Sequence, residues 1–388
     1  MPPCRSTRLR TVFRFGLLLA LVLVALQGAL AGPDPRRIRA KAARAVAHLE
    51  EWVREGRDVS MIVPRMRQVK VLADHGRLAE ADALLNDILA RFEAGERGTA
   101  GRQAAGDAGQ NRIDEFVNDR LVRIMGYDGD AMEPFVSADG RYLFFNNAGG
   151  KTGKDIFHAE RIDDTHFRFL GPLSGVNSPA VDGVPTMDRT GRFYFVSTRN
   201  YRPGSLATIY AGKFHDGEVG DIHPLPELAE GRFGWLNMDI EVSRDGRTIY
   251  ATQTWFGDGP PPTKSRFFLA RRVGDHFVPQ PDSAAIFASI NADEVVYGAT
   301  LSADEREILY TRLRRENGAL HLDTMRAERP SRDVPFGRPR IVSAITGFAE
   351  APALGPDGRR LYYHKRNGLT GRFEIHVLER RRSPPHRR

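Results

Sequence analysis

The chain has 388 residues, among them 38 Gly, 24 Pro and a single cysteine, Cys4. One thiol leaves no intramolecular disulfide and no multi-thiolate metal site. The formal net charge of +8 sits at the two ends: residues 1–31 carry four Arg and 380–388 carry five, each stretch without an acid, which leaves the body between at about −1. A nucleic-acid-binding domain carries its basic residues on a folded face, so that class is set aside.

Residues 1–31 read as a secretory signal peptide. Arg5, Arg8, Arg10 and Arg14 form a positive region, Gly16 to Leu26 is continuously apolar, and Ala29-Leu30-Ala31 is a small-residue cleavage site, with cleavage after Ala31. The apolar run is shorter than the ~20 residues of a spanning helix. The expectation is a periplasmic or secreted protein with no stable membrane span once the signal is removed, and then no cysteine at all.

Residues 36–93 carry apolar residues at helical spacing: Ile38, Ala42, Ala45, Val46 and Leu49, then Val63, Met66, Val69 and Leu72, then Ala81, Leu85, Ile88 and Phe92. Gly56 and Gly76 are the predicted breaks. This predicts a small helical hairpin domain. Residues 94–111, AGERGTAGRQAAGDAGQN, have the composition of a flexible linker.

From Arg112 onward the pattern is β. Met132–Asn147, MEPFVSADGRYLFFNN, reads as strand, tight turn, strand, with Asp139 and Gly140 supplying the turn chemistry. The unit recurs. Asp188–Gly191 precedes RFYFVSTR, Ser243–Gly246 precedes RTIYATQ, Ser302–Glu305 precedes REILYTR, and Gly355–Gly358 precedes RRLYYHK. Each of the first four copies continues into two further strands. Four strands per copy at a period of roughly 50–60 residues predict an all-β propeller over 112–379. Five copies predict five blades, with six as the alternative count. The fifth copy lacks its own fourth strand. Arg120–Ile124, RLVRI, is expected to supply it and close the ring, which removes exposed sheet edges. Residues 380–388 read as a basic disordered tail.

The Ser-x-Asp-Gly-Arg turn before an aromatic or aliphatic strand, with an acid shortly upstream, resembles the TolB-type, WD-repeat-like β-propeller motif of bacterial exported proteins. EPFVSADGRYLFF and DIEVSRDGRTIYA carry it best, Thr190 replaces Asp in the second copy, and Glu305 replaces Gly in the fourth. The resemblance implies a propeller fold, usually of six blades, and an exported protein. It says little of function, because this scaffold hosts many roles.

Every innermost strand has a carboxylate at or just before its start: Glu133, Asp182, Asp239, Glu294 and Glu350. These starts gather at one mouth of the central channel. Acids there can lock neighbouring blades through backbone amides, bind a ligand, or perform acid/base chemistry as in glycoside hydrolysis. Their recurrence favours the locking role. If the protein is an enzyme, the candidates are Glu133, Asp182 and Asp239, with Glu133 first because Asp128 and Asp130 lie beside it. Arg199 and Arg312, at the ends of second strands, are candidate binding residues. Trp255 and Phe256, in the insertion Thr254–Phe268, are candidates for peptide or carbohydrate contact.

The histidines show no metal-site spacing, and no cofactor or metal is expected. Gly149–Asp155, GGKTGKD, has only the end of a phosphate-loop pattern and falls between strands. Nothing resembles the nucleophile elbow of serine hydrolases. The preferred reading is a non-catalytic exported propeller that binds or scaffolds an envelope protein or polysaccharide. The alternative is a carbohydrate-active hydrolase or lyase using the channel-mouth carboxylates.

Overall fold

The computed structural model describes residues 35–54, 62–100, 112–149, 153–257, 259–316 and 319–381. The expected signal peptide, most of the expected linker and the last residues of the tail lie outside them. The chain divides into two compact units, Met1–Asp107 with Asn367–Gly371, and Ala108–Arg366 with Arg372–Arg388.

The first unit is helical: α1 (Pro35–Arg54), α2 (Ile62–Asp74) and α3 (Leu78–Ala100). Ile38, Ala45, Met66, Val69, Leu85 and Phe92 are buried together, as one apolar stripe per helix requires. An ion pair from Lys41 to Asp82 at 2.7 Å ties α1 to α3. Gly76, at φ 71°, makes the tight turn between α2 and α3. α3 continues past Ala94 into the stretch whose composition reads as a linker. No helix among the described residues is long and apolar enough to cross a membrane.

The second unit is a five-bladed β-propeller. The innermost strands are β4 (Met132–Val136), β8 (Asp182–Met187), β12 (Trp235–Val242), β16 (Val295–Leu301) and β20 (Ala349–Leu354). Each opens an antiparallel sheet built outward in chain order. The second strands, such as β5 (Tyr142–Asn146) and β13 (Thr248–Trp255), are buried on both faces because each blade is covered by its two neighbours. Five separate cores lie between successive blades. Phe144 meets Phe193 between blades 1 and 2, Tyr194 meets Phe277 between 2 and 3, and Phe267 meets Tyr310 between 3 and 4. Leu309 and Tyr363 share the core between 4 and 5, and Phe167 meets Tyr362 between 5 and 1.

Ring closure differs from the expected form. The strand that completes blade 5 is β2 (Phe116–Leu121), antiparallel to β22 (Phe373–Arg380). β1 (Arg112–Ile113) pairs in parallel with β19 (Arg340–Val342) of blade 4, and β3 (Arg123–Met125) pairs in parallel with β7 (His166–Pro172) of blade 1. One segment, 112–125, therefore laces three consecutive blades. Arg120–Ile124 straddles two of these strands, and apolar pattern alone did not separate them. The last strand runs through Arg380, which bonds Glu307 at 2.8 Å and Glu115 at 3.3 Å, so the tail begins later than its charge suggests.

The turns form as their residues dictate. In blade 1 Ser137 Oγ donates to Asp139 at 2.5 Å, Asp139 accepts the Arg141 amide, and Gly140 takes φ 73°. Blade 3 repeats this with Ser243 and Asp245. In blade 2 Asp188 itself accepts from Thr190 and Arg192. The fourth turn also forms, with Glu305 in the left-handed region at φ 58°. Its carboxylate accepts from the Tyr250 hydroxyl at 2.6 Å and pairs with Arg332 at 3.1 Å, which offsets the strain of a side chain at a position suited to glycine.

Candidate functional site

The N-terminal halves of the innermost strands surround a cavity of about 520 Å³ at one mouth of the channel. Every innermost strand carries a bulge there, where its pairing to the second strand shifts register. Counting four residues back from each turn residue gives Glu133, Val184, Asp239, Gly298 and Ala351. Glu133, Val184, Gly298 and Ala351 all sit at positive φ, from 50° to 60°. Asp239 does not share that conformation. The ring is thus pseudo-symmetric in its backbone and broken at Asp239.

The acids singled out in the sequence do not form one ring. Asp182 is fully buried beneath the mouth and satisfied by Ser178 and by Arg199 at 2.8 Å, so this acid and Arg199 hold blade 2 together. Glu294 is exposed and outside the cavity lining. Arg312 is engaged by Asp323 at 2.8 Å and Asp293 at 3.5 Å. Asp130 accepts the Phe373 amide at 2.8 Å, Asp128 is exposed, and neither lines the cavity. The carboxylates that do converge are Glu133, Asp239 and Glu350.

Each of the three has a different environment. Glu133 is paired with Lys154 Nζ at 2.7 and 2.9 Å. Glu350 accepts from the Tyr297 hydroxyl and lies 3.2 Å from His364 Nε2. The Glu133 backbone N–H donates to His364 Nδ1 at 3.1 Å, which puts the proton of the neutral ring on Nε2, facing Glu350. Burial pushes the Glu350 carboxyl up, but the hydrogen bonds from His364 and Tyr297 outweigh it and hold the group below its ordinary range. Asp239 is 6% exposed, and its Oδ2 has no hydrogen-bond partner. Burial, and then the charge of Glu133, push its carboxyl up to about 7.

Below the mouth the channel narrows to a space of about 30 Å³, where Glu241 follows Asp239 on the same face of β12. Burial pushes Glu241 up to about 7 despite hydrogen bonds from Thr186 at 2.8 Å and Thr300 at 3.3 Å.

The wall above the carboxylates is apolar, with Leu236, Met238, Phe256, Leu313, Leu322 and Phe348. Phe256 and Pro260–Pro262 come from the insertion after β13. Trp255 packs on Trp235 with ring centroids 5.7 Å apart, so of the two aromatics in the insertion one is structural and one lines the cavity. Sequence reasoning missed Lys154, His364, Tyr297 and Glu241. Only Glu241 had a legible signal, the alternation Asp239-Ile240-Glu241 that places two acids on one face of a strand. Among the described residues no group of three or more His, Cys, Asp or Glu is arranged to hold a metal ion.

No protein-family model and no curated protein matches the sequence. Solved structures match the fold. TolB from Acinetobacter baumannii is similar at 14% identity with a TM-score of 0.37, over 64% of this chain and 55% of that one. The chain thus spans little more than half of the TolB structure. A family 117 glycoside hydrolase from Zobellia galactanivorans is similar at 13% identity and a TM-score of 0.46, over 68% of this chain and 90% of that one. Bacillus subtilis arabinanase is similar at 10% identity and a TM-score of 0.46, over 68% and 96%. At these identities the likeness is one of fold.

Proposed function

We propose that this propeller is an exported, ligand-binding protein whose binding site is the channel-mouth cavity. The observation that carries the reading is Asp239, a buried carboxyl with an unpartnered Oδ2, in the lining of a cavity large enough for a small-molecule or chain-end ligand. A buried carboxyl oxygen without a partner costs stability, and a ligand that pairs with this carboxyl supplies what the fold withholds. In this reading Glu133 and Glu350 are binding residues, whereas Asp182, Glu294, Arg199 and Arg312 are not. The ligand belongs to an envelope protein or polymer, as expected of an exported scaffold. The test is Met238→Trp, which fills the cavity from the bulge in β12. Binding of any ligand found for the wild type is lost in this variant while the far-UV circular dichroism is retained. Undiminished binding overturns the assignment.

A second reading, a hydrolase acting on glycosidic bonds, is favoured by one observation: a carboxyl raised to about 7 beside an ionised carboxylate, Glu350. That is the division of labour between general acid and general base or nucleophile. Asp239 would protonate the leaving oxygen, and Glu350 replaces Asp182 in the candidate set. Turnover of aryl glycosides that is abolished in both Asp239→Asn and Glu350→Gln would establish this reading over simple binding.

A further inference from the structure

We infer that the channel-mouth site takes its ligand ammonium-first: a primary ammonium group reaches the floor between Asp239, Glu133 and Glu350, and the apolar body it is attached to fills the collar above. The inference rests on the proposal that this cavity is the binding site and names the chemistry of its occupant.

Three features of the cavity converge on this chemistry. The first is charge. The floor holds three carboxyl groups against one cation, Lys154, whose ammonium is committed to both oxygens of Glu133. The other polar groups at the floor are the His364 ring and the Tyr297 hydroxyl, both hydrogen-bonded to Glu350. With Glu133 balanced by Lys154, the charge of Glu350 is left over, and that of Asp239 is added when it ionises.

The second feature is the arrangement of acceptors. Asp239 lines the cavity and is more than nine-tenths buried, and its Oδ2 has no hydrogen-bond partner. An ammonium carries three donors and no acceptor. It matches a floor of carboxylate oxygens, whereas a second carboxylate or a phosphate meets only repulsion.

The third feature is the wall. Thr198 is the one side-chain hydroxyl among the described lining residues above the floor. A sugar needs polar partners around its whole rim, and this collar offers it almost none. An alkyl or branched apolar body gains by leaving water there. A metal cation is disfavoured because the described residues provide no group placed to coordinate it.

Two sources share this chemistry, an alkylamine and the free N-terminus of an apolar-led peptide. Binding also displaces a proton. The raised Asp239 carboxyl must ionise to pair with a cation, so affinity rises with pH through about 7 and protons are released on binding near neutrality.

The experiment is isothermal titration of the mature protein at pH 7 with octylammonium, octanol, and a leucine-led tripeptide amide with a free or an acetylated N-terminus. Octylammonium is expected to bind about tenfold or more tightly than octanol, and the free peptide likewise against its acetylated form. Asp239→Asn removes this selectivity, and the proton release seen when wild type is titrated in buffers of different ionisation enthalpy disappears with it. Whichever cation binds more tightly identifies the source. Equal binding of octylammonium and octanol, absence of proton release, or no binding of either cation overturns the ammonium inference. Selective octylammonium binding that Met238→Trp leaves unchanged overturns the cavity assignment instead, so the two failures are distinguishable.

Discussion

Arg244 donates to the backbone carbonyl of Pro356 at 3.0 Å, although the two residues belong to blades 3 and 5, which are not neighbours in the ring. The same guanidinium also reaches the carbonyl of Ala138 in blade 1 at 3.1 Å. A bond between non-adjacent blades has to cross the axis. Arg244 therefore spans the end of the channel opposite the cavity, and the propeller has one usable mouth. Hydrogen bonds from a charged donor contribute roughly 1.5–3 kcal/mol when enclosed and less at an exposed side chain such as this one. Arg244→Ala is expected to cost about 1 kcal/mol in urea denaturation and to leave binding at the mouth unchanged. A loss of binding would mean that the channel communicates along its length.

The carboxyls of Asp239 and Glu241 predict an unusual stability profile. Both are raised, each to about 7. A carboxyl raised in the folded state binds more protons there than in the unfolded chain, so its contribution is complete below the unfolded value near 4 and is lost as pH rises through about 7. Glu350 is lowered and acts in the opposite sense, at acid pH only. The protein is expected to be more stable at pH 5 than at pH 8, by up to about 1.4 kcal/mol per pH unit for each raised group within that window. Asp239→Asn is expected to stabilise the fold at pH 8 and to be near neutral at pH 5. Equal stability of wild type and variant at both pH values would contradict the assignment.

Glu305 predicts an ordering of variants. Glu305→Ala keeps a side chain in the left-handed region and loses the acceptor for Tyr250 and Arg332, for a cost of about 1–3 kcal/mol. Glu305→Gly loses the same acceptor but relieves the backbone, so it is expected to be about 1 kcal/mol more stable than the alanine variant. The reverse order in thermal or chemical denaturation would show that strain at this turn is negligible.

Phe116 anchors the lacing segment. Its ring is buried at 1% exposure in the core between blades 4 and 5, with the Arg380 guanidinium 4.6 Å from its centroid. Truncation to Ala is expected to cost about 3–5 kcal/mol, as for other buried aromatic rings. The loss is expected to appear as earlier hydrogen exchange in blade 5 rather than uniformly around the ring. Uniform loss of protection would mean that the ring opens as one unit.

The turns were legible in the sequence because their chemistry is local: Ser137, Asp139 and Gly140 act within a few residues of one another, and the pattern repeats. Blade count followed from those turns. The site was half legible. Glu133, Asp239 and Glu350 were among the acids selected, but Asp182 and Glu294 looked equivalent to them. What separates them is position along the strand: Asp182 and Glu294 stand two and four residues before Val184 and Gly298, the equivalents of Glu133 and Asp239. That offset leaves no composition signal. Lys154 and His364 were invisible for another reason. Lys154 lies in a loop of Glu133's own blade and His364 on the second strand of Glu350's, so neither shares the repeated acid signal, and only the bond from the Glu133 amide to His364 depends on ring closure. The closing strand was placed a few residues late because Phe116–Leu121 is mostly polar on its open side and carries little apolar pattern.

The lacing segment 112–125 also sets the order of events in biogenesis. It is the first part of the propeller to be made, yet β2 has no strand to join until β22, the last of the ring, has been completed. Blades 1 to 3 can assemble as the chain emerges, each on its predecessor, while the site remains open between Glu133 and His364. Only the final strands bring these two residues together. A chain that folds as it is synthesised would therefore complete the cavity between Glu133 and His364 only with its last strands, and a prematurely terminated chain would lack it.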